Sequence, residues 1–242
     1  WSSDRDGALG SGSSISATLS AGSHVVTAAV TGASGIERRQ SVAVFVRPAT
    51  LAFGPVADAY VNASSPAQNY GTATVLTADA SPDRQSLFRF VVAGTGGVPP
   101  DRAVLRLSVT GASKKGGAVH RISDSGWQEA AVTYATRPPI DGPALASAGA
   151  VAVGDVVDFD VSGAITGDGT YVFALVTSSS DGVNYASREA GAGRPQLLLT
   201  NDALPRGVPQ LAITAPGDGS TVPFGLAVTF TATAHDPEEG DV

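Results

Sequence analysis

The sequence contains no cysteine and no methionine. Without cysteine there are no disulfides, no thiolate metal centres and no thiol nucleophile, so packing alone must hold the fold. A secreted sandwich of sufficient size stands without such staples. Aromatic residues are sparse, 6% of 242 residues, and the three histidines (His24, His120, His235) show no pair at zinc-ligand spacing. No apolar run approaches the roughly 18 residues of a membrane span. Positive charge is scarce too: 15 Lys and Arg stand against 22 Asp and Glu, for a net charge of −7, and the only lysines are Lys114 and Lys115. No basic stripe is left to hold nucleic acid or an anionic membrane surface. An initiator methionine and a targeting segment are also missing, so Trp1 reads as an interior position of something longer or processed.

What remains is rich in Val, Thr, Ser and Ala, with 29 Gly and 15 Pro. That mixture suits short strands joined by tight turns and is poor material for helices. An all-β chain is expected, in three segments: 1–48, 49–202 and 203–242. Strand-like runs in the first are 13–20, 23–31 and 38–46, and Asp6-Gly7 marks a tight hairpin turn. The second carries ten runs, at 58–63, 73–78, 86–92, 103–111, 118–122, 130–135, 156–161, 170–178, 184–190 and 195–200. So many short strands punctuated by turns point to a jelly-roll-like sandwich. The third segment offers runs at 209–216 and 227–236, and two strands make no independent domain.

The two ends fit each other. "PQLAITAPGDGSTVPFGLAVTFTATAHDPEEGDV" resembles the opening of a bacterial immunoglobulin-like repeat, and "WSSDRDGALGSGSSISATLSAGSHVVTAAVTGASG" resembles its remainder. On that resemblance Trp1, Val25 and Val26 would meet Leu211, Ile213, Val228 and Phe230 of another copy or repeat. Neither half covers its own apolar face or strand edges. Completion by a neighbouring copy, in tandem or head to tail, and simple truncation are both open. The first would make the chain a structural repeat of an extracellular fibre or stalk.

In the middle segment the ordered motifs are "ADAYVNASSPAQNYGTATVLTADASPDRQSLFRFVV" (57–92), "RAVLRLSVTG" (102–111), "VHRISDSGWQEAAVTYATRPP" (119–139) and "NYASREAGAGRPQLLLT" (184–200). Their order and spacing resemble the DNRLRE-type domain, also classed as carbohydrate-binding module family 96. The resemblance implies a β-sandwich of extracellular bacterial or archaeal proteins, some members of which bind acidic polysaccharides such as alginate. A polysaccharide partner follows as the second reading of function.

Strand alternation puts Phe88 and Phe90 on one face of their run, and Leu87, Arg89 and Val91 on the other. Arg89 among apolar neighbours either pairs with a carboxylate or points into a ligand groove. Trp127, Glu129, Tyr134 and Arg137 cluster in sequence, as do Tyr185, Arg188 and Glu189. Arg and Glu beside aromatics form structural ion pairs with rings packed on their stems. The same set can build a sugar site, rings stacking on pyranose faces and Arg forking onto carboxylates or hydroxyls. Tyr70, in an Asn-Tyr-Gly turn, is the best single stacking candidate. The candidate sugar contacts are therefore Tyr70, Arg89, Trp127, Arg137, Tyr185 and Arg188.

The one cofactor in view is a structural calcium ion. Asp58 is a candidate ligand by analogy with other jelly rolls, and Asp236, Glu238 and Asp241 concentrate oxygen in a Gly-bearing turn at a spacing foreign to an EF-hand. Catalysis is not expected. His120, Ser123 and Asp124 lie in "HRISD" without a nucleophile elbow or oxyanion loop. Asp158 and Asp160 share a strand face, which does not flank a glycosidic bond from two sides.

Overall fold

A computed structural model of the chain describes residues 1–201 and the backbone of 210–215, 231–236 and 240–241. The chain divides into two compact units, Trp1–Asn201 and Asp202–Val242. Apart from one 3-10 turn at Ser162–Ala164, every regular element among the described residues is a strand, so the fold is all-β.

The first four strands are β1 (Ser2–Ser3), β2 (Gly7–Ala8), β3 (Gly22–Thr31) and β4 (Glu37–Val46), joined antiparallel in the order β2-β1-β3-β4. The Asp-Gly step is a hairpin turn: Ser3 pairs with Gly7, whose φ of +76° suits a residue without Cβ. A buried polar knot secures the sheet. His24 Nε2 donates to Ser20 O (2.7 Å), which leaves Nδ1 to accept from Ser3 Oγ (2.8 Å). Asp6 accepts from the backbone N–H and hydroxyl of Ser20, which holds its carboxyl below the usual range.

The next eleven strands are β5 (Thr50–Phe53), β6 (Ala57–Asn62), β7 (Val75–Ala80), β8 (Asp83–Val92), β9 (Arg102–Gly111), β10 (Gly117–Ile122), β11 (Ala144–Ala148), β12 (Val156–Asp160), β13 (Gly169–Val176), β14 (Val183–Ala186) and β15 (Gln196–Thr200). They form one hydrogen-bonded network, β11-β10-β13-β8-β7-β14-β9-β15-β5, with β6 on β8 and β12 on β9. The network curls until its flanks face each other. Phe88, Phe90, Phe173 and Leu175 from one flank meet Leu105, Leu107, Phe159, Tyr185, Leu197 and Leu199 from the other in a single buried core. This is a β-sandwich. Alternation sends Leu87 to the outside of β8, where Trp127, Val132 and Ile122 bury it in a second, smaller core. Arg47 clasps the start of the sandwich to its end, donating to Pro99 O (2.8 Å) and to the side chain of Asn201. In the second unit, β16 (Gln210–Ala215), β17 (Thr231–Asp236) and β18 (Gly240–Asp241) pair in chain order.

Among the described residues two expected strands are absent, and several short strands, β5 and β11 among them, were not expected. Residues 13–20 keep their alternation, with Ile15, Ala17 and Leu19 lining one cavity with Trp1, but they join no ladder. Here β1 pairs β3 over Ser2–Thr27 and Ser3–Val26. Residues 130–135 form turns, with Ala131 and Val132 N–H both donating to Gln128 O and Thr136 N–H to Thr133 O. Burial of Val132 on the second core replaces strand pairing there. Strand β5 is only four residues long, and β11 is mostly alanine, so β11 carries no β-branched or aromatic signal.

Phe88 is fully buried while Val91, three residues on in the same strand, is 49% exposed. Phe88→Ala is expected to destabilise the sandwich by about 3–5 kcal/mol, and Val91→Ala by less than about 0.5 kcal/mol, as read by denaturant unfolding.

Candidate functional site

The segment 123–143 has no regular structure and lies as a cover on the outer face of β6, β8 and β13. Arg89 fixes it there. Its Nη1 donates to Ser125 O (3.0 Å) and Trp127 O (2.6 Å), and its guanidinium lies 5.3 Å from the Trp127 ring centroid. The partners of Arg89 are thus backbone carbonyls and an indole face. Trp127 is 7% exposed, so its faces are occupied by protein.

The other sequence candidates fall in different places. Tyr185 is fully buried in the main core and donates to Gly116 O (2.7 Å); burial pushes its phenol up. Tyr70 stacks on Tyr60, centroids 4.2 Å apart and planes 21° apart. Arg137 lies 3.6 Å from the ring centroid of Tyr134 and donates to Gln85 Oε1 (3.2 Å) and Tyr134 O. Tyr134 in turn donates to Asp83 (2.7 Å), which raises its own pKa. A cavity of about 400 Å³ opens between Gln85, Arg137 and the prolines 138 and 139. The six candidates therefore do not share one surface.

Arg188 belongs to a carboxylate cluster that sequence spacing could not assemble. Asp58 on β6, Glu129 in the cover and Glu189 after β14 each bring an oxygen within 4.8 Å of the others. Arg188 Nε lies 2.7 Å from Glu189 Oε1 and 3.1 Å from Glu129 Oε1, and Nη1 donates to Val56 O (2.9 Å). The backbone N–H of Asp58 donates to Glu129 Oε1 (2.8 Å), and that of Arg188 to Asp58 Oδ2 (2.8 Å). Asp58 is 1% exposed, and burial pushes its carboxyl up to about 7; the Arg188 N–H opposes the rise, and the charges of Glu189 and Glu129 add to it. Asn69 Nδ2 holds the cover in register by donating to Glu129 O and Val132 O (both 2.7 Å). Gly71 completes the fit: a Cβ there would stand 2.2 Å from Glu129 O.

A second feature escaped the sequence because no aromatic marks it. On the opposite flank from the cluster's β14 arm, β10, β11 and β13 form an open groove of about 570 Å³ lined by Lys115, His120, Ser147, Thr177 and Ser178 among small residues. Lys115 Nζ donates to Ser178 Oγ (2.9 Å). His120 Nδ1 lies 3.0 Å from Gly142 O; a carbonyl only accepts, so Nδ1 carries the proton and Nε2 of the neutral ring is an acceptor.

Groups with catalytic potential are engaged otherwise. Ser123 donates to Asp141 and His120 to Gly142 O. Asp158 takes both oxygens to Arg106 (2.7 Å each), and Asp160 accepts from Ser162 N–H (2.9 Å). Both carboxyls are held low by these bonds. Of the remaining candidates, Trp1 is 37% and Val25 43% exposed. Val25 pairs with Ala43 and Val26 with Val42, so the two valines point to opposite faces. Val228, Phe230 and Glu238, and the side chains of Leu211, Ile213, Asp236 and Asp241, lie outside the described residues.

The strands β5 to β15 thus form a curled antiparallel β-sandwich with an open groove on one flank. The family model for carbohydrate-binding module family 96 matches residues 49–201, more than half of the chain, and the chain belongs to that family. No curated protein matches the sequence. Among the described residues no helix is long and apolar enough to cross a membrane.

The Asp58 environment sets a pH dependence. A carboxyl raised above its unfolded-state value of about 3.9 adds stability while protonated, and that contribution is lost as pH rises through 7. In chelator-containing buffer the wild type is expected to lose stability relative to Asp58→Asn from about pH 4 to about pH 7, on the order of 1 kcal/mol per unit. The difference then levels off, as followed by urea titrations across that range.

Proposed function

We propose that the 49–202 sandwich is a non-catalytic module that holds a polysaccharide in the β10–β11–β13 groove, outside the cell. Membership of residues 49–201 in carbohydrate-binding module family 96 carries this reading. The groove's chemistry supports it: Lys115, His120, Ser147, Thr177 and Ser178 all line one open depression, and Lys115 Nζ donates to Ser178 Oγ. Sugar hydroxyls both donate and accept, and this set supplies partners of both kinds. With no aromatic side chain in the lining, recognition rests on hydrogen bonds and charge more than on stacking. Lys115 is placed to meet a carboxylate or sulfate substituent.

Affinity electrophoresis through gels containing neutral or acidic polysaccharides tests the reading. Retardation by at least one glycan is expected, without release of reducing ends. Lys115→Ala should weaken that binding about tenfold, the loss of one charge-assisted hydrogen bond, while Arg137→Ala and Tyr70→Ala leave it within about twofold. A folded chain that no glycan retards overturns the proposal.

A second reading concerns the first sheet, as a unit that associates with a neighbouring copy. It is favoured by one face of β3 and β4, where Val30 is 67% and Val42 57% exposed beside Trp1. On this reading sedimentation of the full chain is expected to show concentration-dependent association that Val42→Asp abolishes. A monomer at every concentration would remove it.

A further inference from the structure

Three carboxylates and one guanidinium meet where β6, the outer cover and the turn after β14 come together. Fully ionised, Asp58, Glu129, Glu189 and Arg188 sum to −2, three acids against one base. Arg188 engages Glu129 and Glu189 through their Oε1 atoms, and the backbone N–H of Arg188 takes Asp58 Oδ2. The oxygens left over are the informative ones. Asp58 Oδ1 and Glu189 Oε2 are both buried and have no hydrogen-bond partner, and Asp58 as a whole is 1% exposed. A buried carboxylate oxygen without a partner is costly, and structures relieve it with a proton, a donor or a cation.

We infer that Asp58, Glu129 and Glu189 form a binding site for one calcium ion, which ties the outer cover to the sandwich. The donor set is oxygen only, with neither imidazole nor thiolate, which suits a hard cation and not zinc or copper. The residual charge of −2 matches a divalent ion. Calcium accepts six to eight oxygens in irregular geometry, from carboxylates, carbonyls and water, whereas magnesium demands a near-ideal octahedron. A fixed cluster already braced by Arg188 and by backbone N–H groups fits the more tolerant ion. The rival occupant is a proton shared between Asp58 and Glu189, which would satisfy one of the two orphaned oxygens at the expense of charge.

The site would join three separate stretches of chain. Asp58 sits on β6, which pairs with β8 alone, Glu129 in the segment without strand structure, and Glu189 between β14 and β15. An ion held by all three stabilises the folded state alone, since the unfolded chain has no such constellation. The inference concerns stability and cover placement, and it stands or falls independently of sugar binding in the β10–β11–β13 groove.

The test is calorimetric titration of calcium chloride into the chelator-stripped full chain at pH 7.5, with thermal unfolding in parallel. One equivalent is expected to bind, and saturation about a hundredfold above Kd should raise Tm by about 5–10 °C. Glu189→Gln and Glu129→Gln, both at partly exposed side chains and expected to fold, should each weaken calcium at least tenfold and remove most of the Tm shift. Asp58→Asn should abolish binding while circular dichroism retains the strand signal. Absence of calcium binding by folded wild type would leave the shared proton as occupant and overturn the site. Binding that survives both Gln substitutions unchanged would place the ion elsewhere and overturn it equally. Magnesium binding as tight as calcium would overturn the choice of ion.

Discussion

Strand β8 has to be buried on both of its faces, and much of the molecule follows from that requirement. Phe88 and Phe90 fill the space between the two flanks of the sandwich, which any half-buried strand would do. Leu87 faces the other way and is also fully buried, so a second layer must cover the outside. The sequence supplies that layer not as a sheet or helix but as an irregular segment, 123–143, whose backbone polar groups need partners other than a ladder. Arg89 answers part of that need by donating to two of its carbonyls, and Asn69 answers more by donating to two others.

Holding this cover has a further effect on the chemistry around it. It carries Glu129 down onto Asp58 and Arg188, and Tyr134 with Arg137 onto Asp83 and Gln85. The Arg, Glu and aromatic residues that look in sequence like one ligand site thus divide among three duties. Some hold the cover, some complete the core, and some surround an acidic cluster. The groove proposed for polysaccharide lies on β10, β11 and β13 and touches the cover at its far end, where His120 meets Gly142 O.

The all-β character and most strands were legible in the sequence because alternation and turn residues act locally. The split of Phe88 and Phe90 from Leu87 and Arg89 was legible for the same reason, and the Asp-Gly turn was legible from its dihedral demands. What was not legible depends on long-range closure. Nothing in the spacing of Asp58, Glu129 and Glu189, separated by 71 and 60 positions, indicates that a curled network brings them together. The alternating run 130–135 looked like a strand because periodicity records which residues are buried, not whether a neighbouring edge is available. Strand β11 went unseen for the converse reason: an edge is available beside β10, and alanines suffice to occupy it. Lys115 and Ser178 stand 63 positions apart and meet only because β10 pairs with β13.

The two tryptophans of the chain report on different places. Trp127 belongs to the cover and is buried between it and the sandwich with a guanidinium on its face, while Trp1 is 37% exposed at the first sheet. Their emission should therefore differ in colour and in access to a soluble quencher. The protein carries two native optical probes, one sensitive to lifting of the outer cover and the other to anything that settles on the N-terminal sheet.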